Sequence, residues 1–433
     1  MSRLVGRGQK LGQWDLEASE MAIRTSMHKI GGVVLEKLLN ADARGYCGAE
    51  VDCGQGHAAG FVDYRWKEVL TVLAPVQVER AYYHCSDCGG GVIPKDRELD
   101  IVGTSFSPGV RRMMGRVGSK ESFEQGGEDL QELAGIRVST KQVERVAEEI
   151  GVAVEARGIE QRETTRWDKV VPFKPVPKLY ITIDGTGVPV VPSETEGRQG
   201  KDETGRAKTR EAKLGCVFTQ TRVEEKGNPV RDPESTSYVG AIETAEAFGP
   251  RIYAEAVRRG LRRAQSVIVL GDGAPWIWNI AAEQFLGAIE IVDLYHARQH
   301  LAQLGKILYG LTSLESKQWA NARYQELDKG DVEAVISSMV RLRSRDEAVR
   351  KEVDKTIHYF QTNAERMRYA EFRRQGLFIG SGVMEAGCKT IVGFRLKQSG
   401  MRWTVRGANA IIALRCLELS GGWEQFWESR VVS

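Results

Sequence analysis

Three acidic residues in this chain sit where carboxylates do chemistry rather than aid solubility. In ITIDGTGVPV, beginning at Ile181, Asp184 interrupts a β-branched apolar strand. In VIVLGDGAPWIW, beginning at Val267, Asp272 ends an apolar run between two glycines, whose missing Cβ atoms let a ligand or metal approach closely. Glu385 lies in GSGVMEAGCKTIVGFRLK, where Ser381 is placed to cap a helix and Lys389 falls one turn further along the same face. From Ala386 to Cys416 there are six basic residues (Lys389, Arg395, Lys397, Arg402, Arg406 and Arg415) and no acid. Carboxylates at two strand ends and on a later helix can hold two Mg²⁺ (or Mn²⁺) ions about 3.5–4 Å apart and direct in-line attack on a phosphodiester. The cationic stretch would grip the nucleic-acid backbone being cut. A turn or a helix cap explains any one of these acids alone; three together beside such a stretch favour catalysis.

A fourth cluster adjoins them. In IEIVDLYHARQHL, from Ile289, Asp293 ends a strand, His296 follows three positions on and His300 one turn later. Asp293 and His296 on one helix face would support the metal site or contact the phosphate. The HxxxH spacing also fits a metal pair, although a histidine so placed as often packs or hydrogen-bonds.

Four of the seven cysteines lie between positions 47 and 88. An odd cysteine count in a large chain points away from a disulfide framework and towards metal or free thiols. Cys85-Ser-Asp-Cys88 followed by Gly89 and Gly90 lets two thiolates face one metal from a tight turn. Cys47 and Cys53 supply the other half of a closed, structural Zn²⁺ site, with His57 or His84 as substitutes for Cys47. Trp66–Leu73 and Val76–Tyr83 alternate like two strands joined at Pro75, a hairpin that would bring the halves together.

The elements that position these groups follow from punctuation and periodicity. All twelve prolines lie between Pro75 and Pro275, so the final third reads as mostly helical, interior proline costing about 3 kcal/mol of helix stability. Val349, Val353, Ile357, Phe360, Ala364 and Met367 keep a helical period there. Val267–Leu270 and Ile289–Val292 read as buried strands either side of a helix starting after Pro275, a βαβ unit of an α/β domain. Glu121–Leu133, Gly135 and Thr140–Ile150 capped by Ser139 fit a helix-turn-helix, with Lys141, Gln142 and Arg145 facing DNA; two amphipathic helices packing on each other fit equally. Glu194–Lys213, with five acids and six bases, reads as an exposed hairpin loop.

The chain is therefore divided into a helical segment (1–40), a zinc-ribbon-like β module (41–100), and a helical DNA-binding region and linker (101–170), with Pro172, Pro175 and Pro177 spacing the lead into the main domain. A main α/β domain (171–304 and 376–433) follows, with a helical insertion (305–375). Net charge is only +3, from 61 basic and 58 acidic residues, which excludes a uniformly basic nucleic-acid coat but not local patches. No apolar run reaches the ~18 residues that span a bilayer, and a charged N-terminus argues against a signal peptide, so a cytoplasmic, nucleoid-associated protein is expected. Glycine is abundant, at 47 residues.

IDGTGVPV, VLGDGAPWIWN, DLYHARQHL and the Glu385 segment ending KQSGMRWT resemble bacterial insertion-sequence transposases of the DDE class, in the Mutator-related branch and its Kra-type group. RAYYHCSDCGGGVIPKD resembles that group's N-terminal module, so the likeness spans most of the chain; Cys47 and Cys53 are spaced more widely than its usual CxxC. The resemblance implies an RNase H-like catalytic core, with Asp184, Asp272 and Glu385 as the metal-binding triad and Asp293 and His296 matching the C/DxxH motif. It implies DNA partners, both transposon terminal repeats and target, and joining of a 3′ hydroxyl to target DNA. Two ends processed together imply a homodimer or higher homo-oligomer. Two rivals are a domesticated, catalytically silent DNA-binding protein, against which all three carboxylates are retained, and a glycan-type carboxylate hydrolase. The acid-free stretch after Glu385 and the zinc and helix-turn-helix regions argue against the second.

Overall fold

The computed structural model describes residues 9–10, 13–42, 44–164, 176–200, 207–225, 227–342 and 344–429; Pro172 and Pro175 of the expected linker lie outside them. The chain forms two compact units, Met1–Ile150 with Glu424–Ser433, and Gly151–Trp423. The architecture is mixed α/β.

The first unit opens with helix α1 (Leu16–Leu39), whose N-cap Asp15 accepts from the Ala18 amide. A four-stranded antiparallel sheet follows in chain order: β1 (Glu50–Asp52), β2 (Ala58–Leu70), β3 (Pro75–His84) and β4 (Gly91–Val92). The β2–β3 hairpin turns earlier than the sequence pattern suggests. Thr71 closes the turn, its hydroxyl accepting from the Leu73 and Ala74 amides, so Val72 and Leu73 leave the strand. Val69, Val76, Val78 and Ile101 form a small core against which Leu35 and Leu39 of α1 pack. A buried ion pair, Arg80–Asp96 at 2.9 Å with Lys67 at 3.1 Å from the same carboxylate, ties the sheet to the short helix after it, α2 (Pro94–Glu98).

Helices α3 (Pro108–Lys120), α4 (Phe123–Ala134) and α5 (Thr140–Thr164) come next. Gly135 ends α4 in the left-handed conformation, at φ 71°. α5 runs 14 residues beyond the expected Ile150.

The second unit is built on a five-stranded sheet. β5 (Val176–Pro189), β6 (Thr209–Gln220) and β7 (Ser237–Ala241) form an antiparallel meander, and β8 (Ala264–Gly271) and β9 (Ile289–Val292) add parallel to β5, giving the order β7-β6-β5-β8-β9. Leu179–Ile183 are buried without alternation, as expected of a central strand covered on both faces. Tyr180 stacks on Phe218 at 4.8 Å, with Phe378 edge-on to both. Helices α6 (Ala245–Arg258) and α7 (Pro275–Gln284) bury Phe248, Ile252, Ile277 and Ile280, and β8-α7-β9 is the expected βαβ unit.

The β5–β6 connection holds the predicted charged loop only in part. Lys213 already belongs to β6 and is buried, while residues 201–206 lie outside the described ones. After β9 come α8 (Leu294–Tyr309), α9 (Leu314–Asp328), α10 (Val332–Val340), α11 (Glu347–Thr362) and α12 (Tyr369–Arg374). The chain then returns through α13 (Gly382–Cys388), a π-helical segment Lys389–Gly393 and α14 (Val405–Leu419), which is buried along most of its length.

Candidate active site and metal cluster

Strand register brings the first acids together. Thr182 of β5 pairs with Leu270 of β8, and Gly271 of β8 with Val292 of β9. Continuing both registers, Asp184, Asp272 and Asp293 form one row across three adjacent parallel strands about 4.8 Å apart, Asp184 within β5, which runs on to Pro189, and Asp272 and Asp293 just past the ends of β8 and β9. Ligands bind outside the carboxyl ends of strands in open α/β sheets because loops there diverge and leave a crevice.

The three members of the row live differently. Asp184 is largely desolvated; burial raises its pKa, and the Asp272 charge adds to the rise against the pull of Cys388, the Gly185 amide and His296. Its Oδ1 accepts from Gly185 N at 2.7 Å and its Oδ2 from the Cys388 thiol at 3.3 Å. The Asp272 carboxylate accepts a local bond, from Ala274 N at 2.8 Å. Asp293 has structural work. It caps α8 through the Tyr295 and His296 amides and accepts from both the amide and the hydroxyl of Ser381. Burial works to raise the Asp293 pKa, but His296 and Ser381 outweigh it and hold the carboxyl below its ordinary value. Ser381 therefore anchors the loop before α13 instead of capping that helix, which corrects the expectation from its position.

His296 Nδ1 lies 3.8 Å from the Asp293 carboxylate, and that charge, with Asp184 and Asp272 behind it, raises the imidazole's pKa. His300 instead packs. Its ring stacks on Tyr359 at 4.1 Å and burial lowers its pKa, so the HxxxH pair is split, His296 turned to the acid row and His300 to Tyr359.

Glu385 is not drawn in. Its side chain is 65% exposed and pairs with Lys389 at 2.8 Å, the i,i+4 contact expected from spacing. Cys388, three residues later on α13, meets Asp184 in its place. Of the cationic stretch, Arg395 is fully buried, lying over Trp403 at 5.0 Å with a bond to Met401 Sδ, which removes it from the DNA-contacting set. Arg415 is likewise buried and donates to Thr390 O. Lys397 is exposed and donates to Thr186 Oγ1 at 2.6 Å, two residues past Asp184; Arg402 and Arg406 are exposed.

Sequence reasoning did not find the residues that fasten helices α11 and α12 to the row. Tyr359 of α11 donates its hydroxyl to the Asp272 carbonyl at 2.8 Å, and Tyr369 of α12 donates to the Val292 carbonyl at 3.0 Å. Gly273 has φ 100°, and a Cβ there would lie 2.5 Å from the Tyr359 ring, so only glycine fits between acid and tyrosine. Asn363 accepts from Trp278 Nε1 at 3.0 Å, and Arg366 pairs with Glu290 at 2.5 Å. Each contact spans 76 to 87 residues of chain, so no local signal announces it.

In the first unit the cysteine halves do meet, with one substitution. Cys53, His57, Cys85 and Cys88 place their ligand atoms within 4.8 Å of one another. Pairing of Asp52 with Ala58 makes residues 53–57 the β1–β2 turn, closed by Cys53 N donating to His57 O at 3.0 Å. Cys53 and His57 thus project from one knuckle, and Cys85 and Cys88 from another, where Gly89 has φ 68°. The Cys88 and Asp87 amides lower the Cys85 pKa. Cys47 lies outside the group. Its amide donates to Tyr83 Oη at 2.7 Å and its thiol to Gly45 O at 3.5 Å, so His57 takes the place expected of Cys47. Three thiols and an imidazole can hold a metal ion, and a closed set of soft donors is of structural type. The signal in the sequence was Cys53-Gly-Gln-Gly-His57, a turn-forming CxxxH.

The side chains expected to face DNA at the start of α5 are partly engaged in the helix itself. Ser139 Oγ accepts from Gln142 N at 3.3 Å and Gln142 Oε1 accepts from Ser139 N at 2.8 Å, a capping box. Lys141 pairs with Glu144 at 2.9 Å and Arg145 with Glu149 at 3.8 Å, both cations staying exposed.

Residues 253–430 match the model of the Uncharacterised protein family (UPF0236), under half of the chain. The UPF0236 protein in the vanSb 3′ region of Streptococcus gallolyticus is 22% identical over 349 residues, covering 78% of this chain and 69% of that protein. Among solved structures, the Drosophila P element transposase strand transfer complex aligns over 73% of this chain and 80% of that one, at 10% identity and a TM-score of 0.23, too low to carry an argument. Among the described residues, no helix is long and apolar enough to cross a membrane.

Proposed function

We propose that this protein is a DDE-class DNA transposase of the Mutator-related branch, Kra-type group, cutting transposon ends and transferring the 3′ hydroxyl to target DNA. The observation that carries the reading is the alignment of Asp184, within β5, beside Asp272, just past the end of the parallel strand β8, on a sheet whose strand order suits an RNase H-like core. The donor chemistry of this site fits Mg²⁺ or Mn²⁺. Hard carboxylate oxygens are available, and Asp184 is a desolvated acid whose proton affinity is raised by burial and by Asp272, so a divalent cation would relieve it. Asp184 and Asp272 would hold the metal, with Glu385 joining once Lys389 releases it. Bound there, the metal supplies activation of the attacking oxygen and stabilisation of the leaving one.

The chain's own groups do the rest. His296, held protonated to higher pH by Asp293, would face the phosphate with a positive charge and a donor. Lys397, Arg402 and Arg406 would hold the DNA backbone, and Lys389 would join them when freed from Glu385. Asp293 is a positioning residue, fixing both His296 and the loop that leads to Glu385. In the first unit, Cys53, His57, Cys85 and Cys88 would bind a structural zinc in a ribbon-like module, and Lys141 and Arg145 would contact terminal-repeat DNA. The working form would be a homodimer in the cytoplasm, on the nucleoid.

Supercoiled donor plasmid incubated with the protein and Mg²⁺ or Mn²⁺ tests the reading. Nicked and strand-transfer products are expected. Asp184→Ala or Asp272→Ala should lower both at least about 10³-fold, with DNA retention in a gel shift unchanged. Full activity in either variant would overturn the assignment.

A further inference from the structure

The segment from Cys388 to Lys397 is tied at both ends to β5 beside the first acid. At one end the Cys388 thiol donates to Asp184 Oδ2 at 3.3 Å; at the other, Lys397 Nζ donates to Thr186 Oγ1 at 2.6 Å. Its inner side is fixed as well. Ile391, Val392, Arg395 and Leu396 are buried, Arg415 donates to Thr390 O, and Trp403 Nε1 donates to Leu396 O at 3.0 Å. The outer side carries Lys389, Phe394 and Lys397, all exposed. The π-helical turn aligns the first two, because Phe394 N donates to Lys389 O, and Lys397 follows three residues on. Phe394 is 68% exposed, an apolar ring between two lysines on a ridge fastened to the acid row.

A singly exposed apolar side chain is ordinary, and Leu286, 94% exposed after α7, calls for no partner. Phe394 differs in where the fold holds it. A ridge packed this firmly on its inner side keeps the ring in water. The flanking cations disfavour an apolar protein partner, which would bury two charges without counter-ions, and they suit a polyanion. A phosphate backbone gains nothing from a benzyl ring. A nucleobase stacks on one, and only a base out of its pair and stack has a face to offer. Apolar side chains placed against DNA in this way act as wedges between base steps. We propose that Phe394 is a base-stacking residue, taking the face of an unpaired base next to the phosphate at the acid row. Lys397, and Lys389 once freed from Glu385, hold the phosphates either side. The inference rests on the DNA-cutting reading of the acid row and adds the form of DNA that the site takes, a locally unpaired one.

Full-length, zinc-loaded protein, with Ca²⁺ in place of Mg²⁺ to keep strands intact, is titrated with two short duplexes, one fully paired and one carrying a single unpaired 5-iodouracil. Wild type should bind the second about 10-fold more tightly. Irradiation should cross-link the iodouracil to Phe394, mapped by mass spectrometry of the peptides. Phe394→Ala should lose both the preference and the cross-link while binding the paired duplex as wild type does, with unchanged melting because the ring is already exposed. Phe394→Trp should keep the preference, and Leu286→Ala should change nothing. Nicking of supercoiled plasmid in Mg²⁺ is read in parallel. Preference without nicking strikes the DNA-cutting reading and leaves the stacking site standing; nicking without preference strikes the stacking site alone. A wild type that binds the two duplexes equally or binds neither, or a Phe394→Ala protein that retains the preference, overturns the proposal.

Discussion

The Cys/His cluster of the first unit and the proposed carboxylate set of the second are assembled in opposite ways. In the first unit, four ligand atoms from two hairpin turns converge within 4.8 Å. In the second, Asp184 and Asp272 share one row across neighbouring strands while Glu385, on a helix reached 113 residues later, turns outward to Lys389. Thiols and a neutral imidazole lose little on meeting, because none must carry full charge until metal binds. Carboxylates repel one another, and a desolvated one such as Asp184 is already strained by its neighbour. A soft, structural site can therefore be complete before its ion arrives, whereas a carboxylate site closes around its cation.

The largest expected effect breaks the first half of that contrast. Replacing Cys85 or His57 by Ala should abolish zinc binding and the cooperative melting of the first unit, since structural zinc in small modules contributes about 10–16 kcal/mol of apparent binding free energy. Cys47→Ala should keep about one zinc per chain by elemental analysis; equal loss of zinc in Cys47→Ala and His57→Ala would restore Cys47 as a ligand.

A smaller effect sharpens the second half. Tyr359→Phe keeps the ring over Gly273 and removes only the bond to the Asp272 carbonyl. Nicking should fall about 10-fold and the Mg²⁺ concentration for half-maximal rate should rise several-fold, with DNA binding unchanged. A fall in rate with an unmoved Mg²⁺ dependence would mean that Tyr359 only stabilises the insertion.

The smallest effect concerns charge within the row. A carboxyl whose folded pKa lies above its unfolded value adds stability at low pH, and that stability is lost as pH rises through the folded value; Asp184 is such a group. At neutral pH without added Mg²⁺, Asp184→Asn should raise the melting temperature of the second unit by about 2–4 °C while eliminating turnover. No rise at pH 7, or the same rise at pH 3 as at pH 7, would count against a strained carboxylate.

Much of this was legible in local sequence because the signals were local. The βαβ unit from Val267 to Val292 is readable from two apolar runs and Pro275, and Cys85-Ser-Asp-Cys88 from its glycines. The turn-formers around Cys53 and His57 were equally local, yet the wider Cys47 to Cys53 pairing obscured them. Arg395 looked like part of a cationic surface because sequence counts charges without knowing which face they occupy. Its guanidinium in fact lies against Trp403 in the core.

By itself, the sequence determined the βαβ unit from Val267 to Val292, the start of α5 after Ser139 and the Cys85–Cys88 knuckle, but not where α5 ends, where the β2–β3 hairpin turns or that Cys47 stands outside the cluster. The properties it determined depend on backbone sterics and on neighbours within a turn. Only the tertiary structure decided that Asp293 holds Ser381, that Tyr359 and Tyr369 fasten α11 and α12 to the acid row, and that Cys388 meets Asp184 where Glu385 was expected. Each of these rests on hydrogen bonds between groups 77 to 204 residues apart. Such bonds form only after a sheet register and a buried core have fixed where the partners lie.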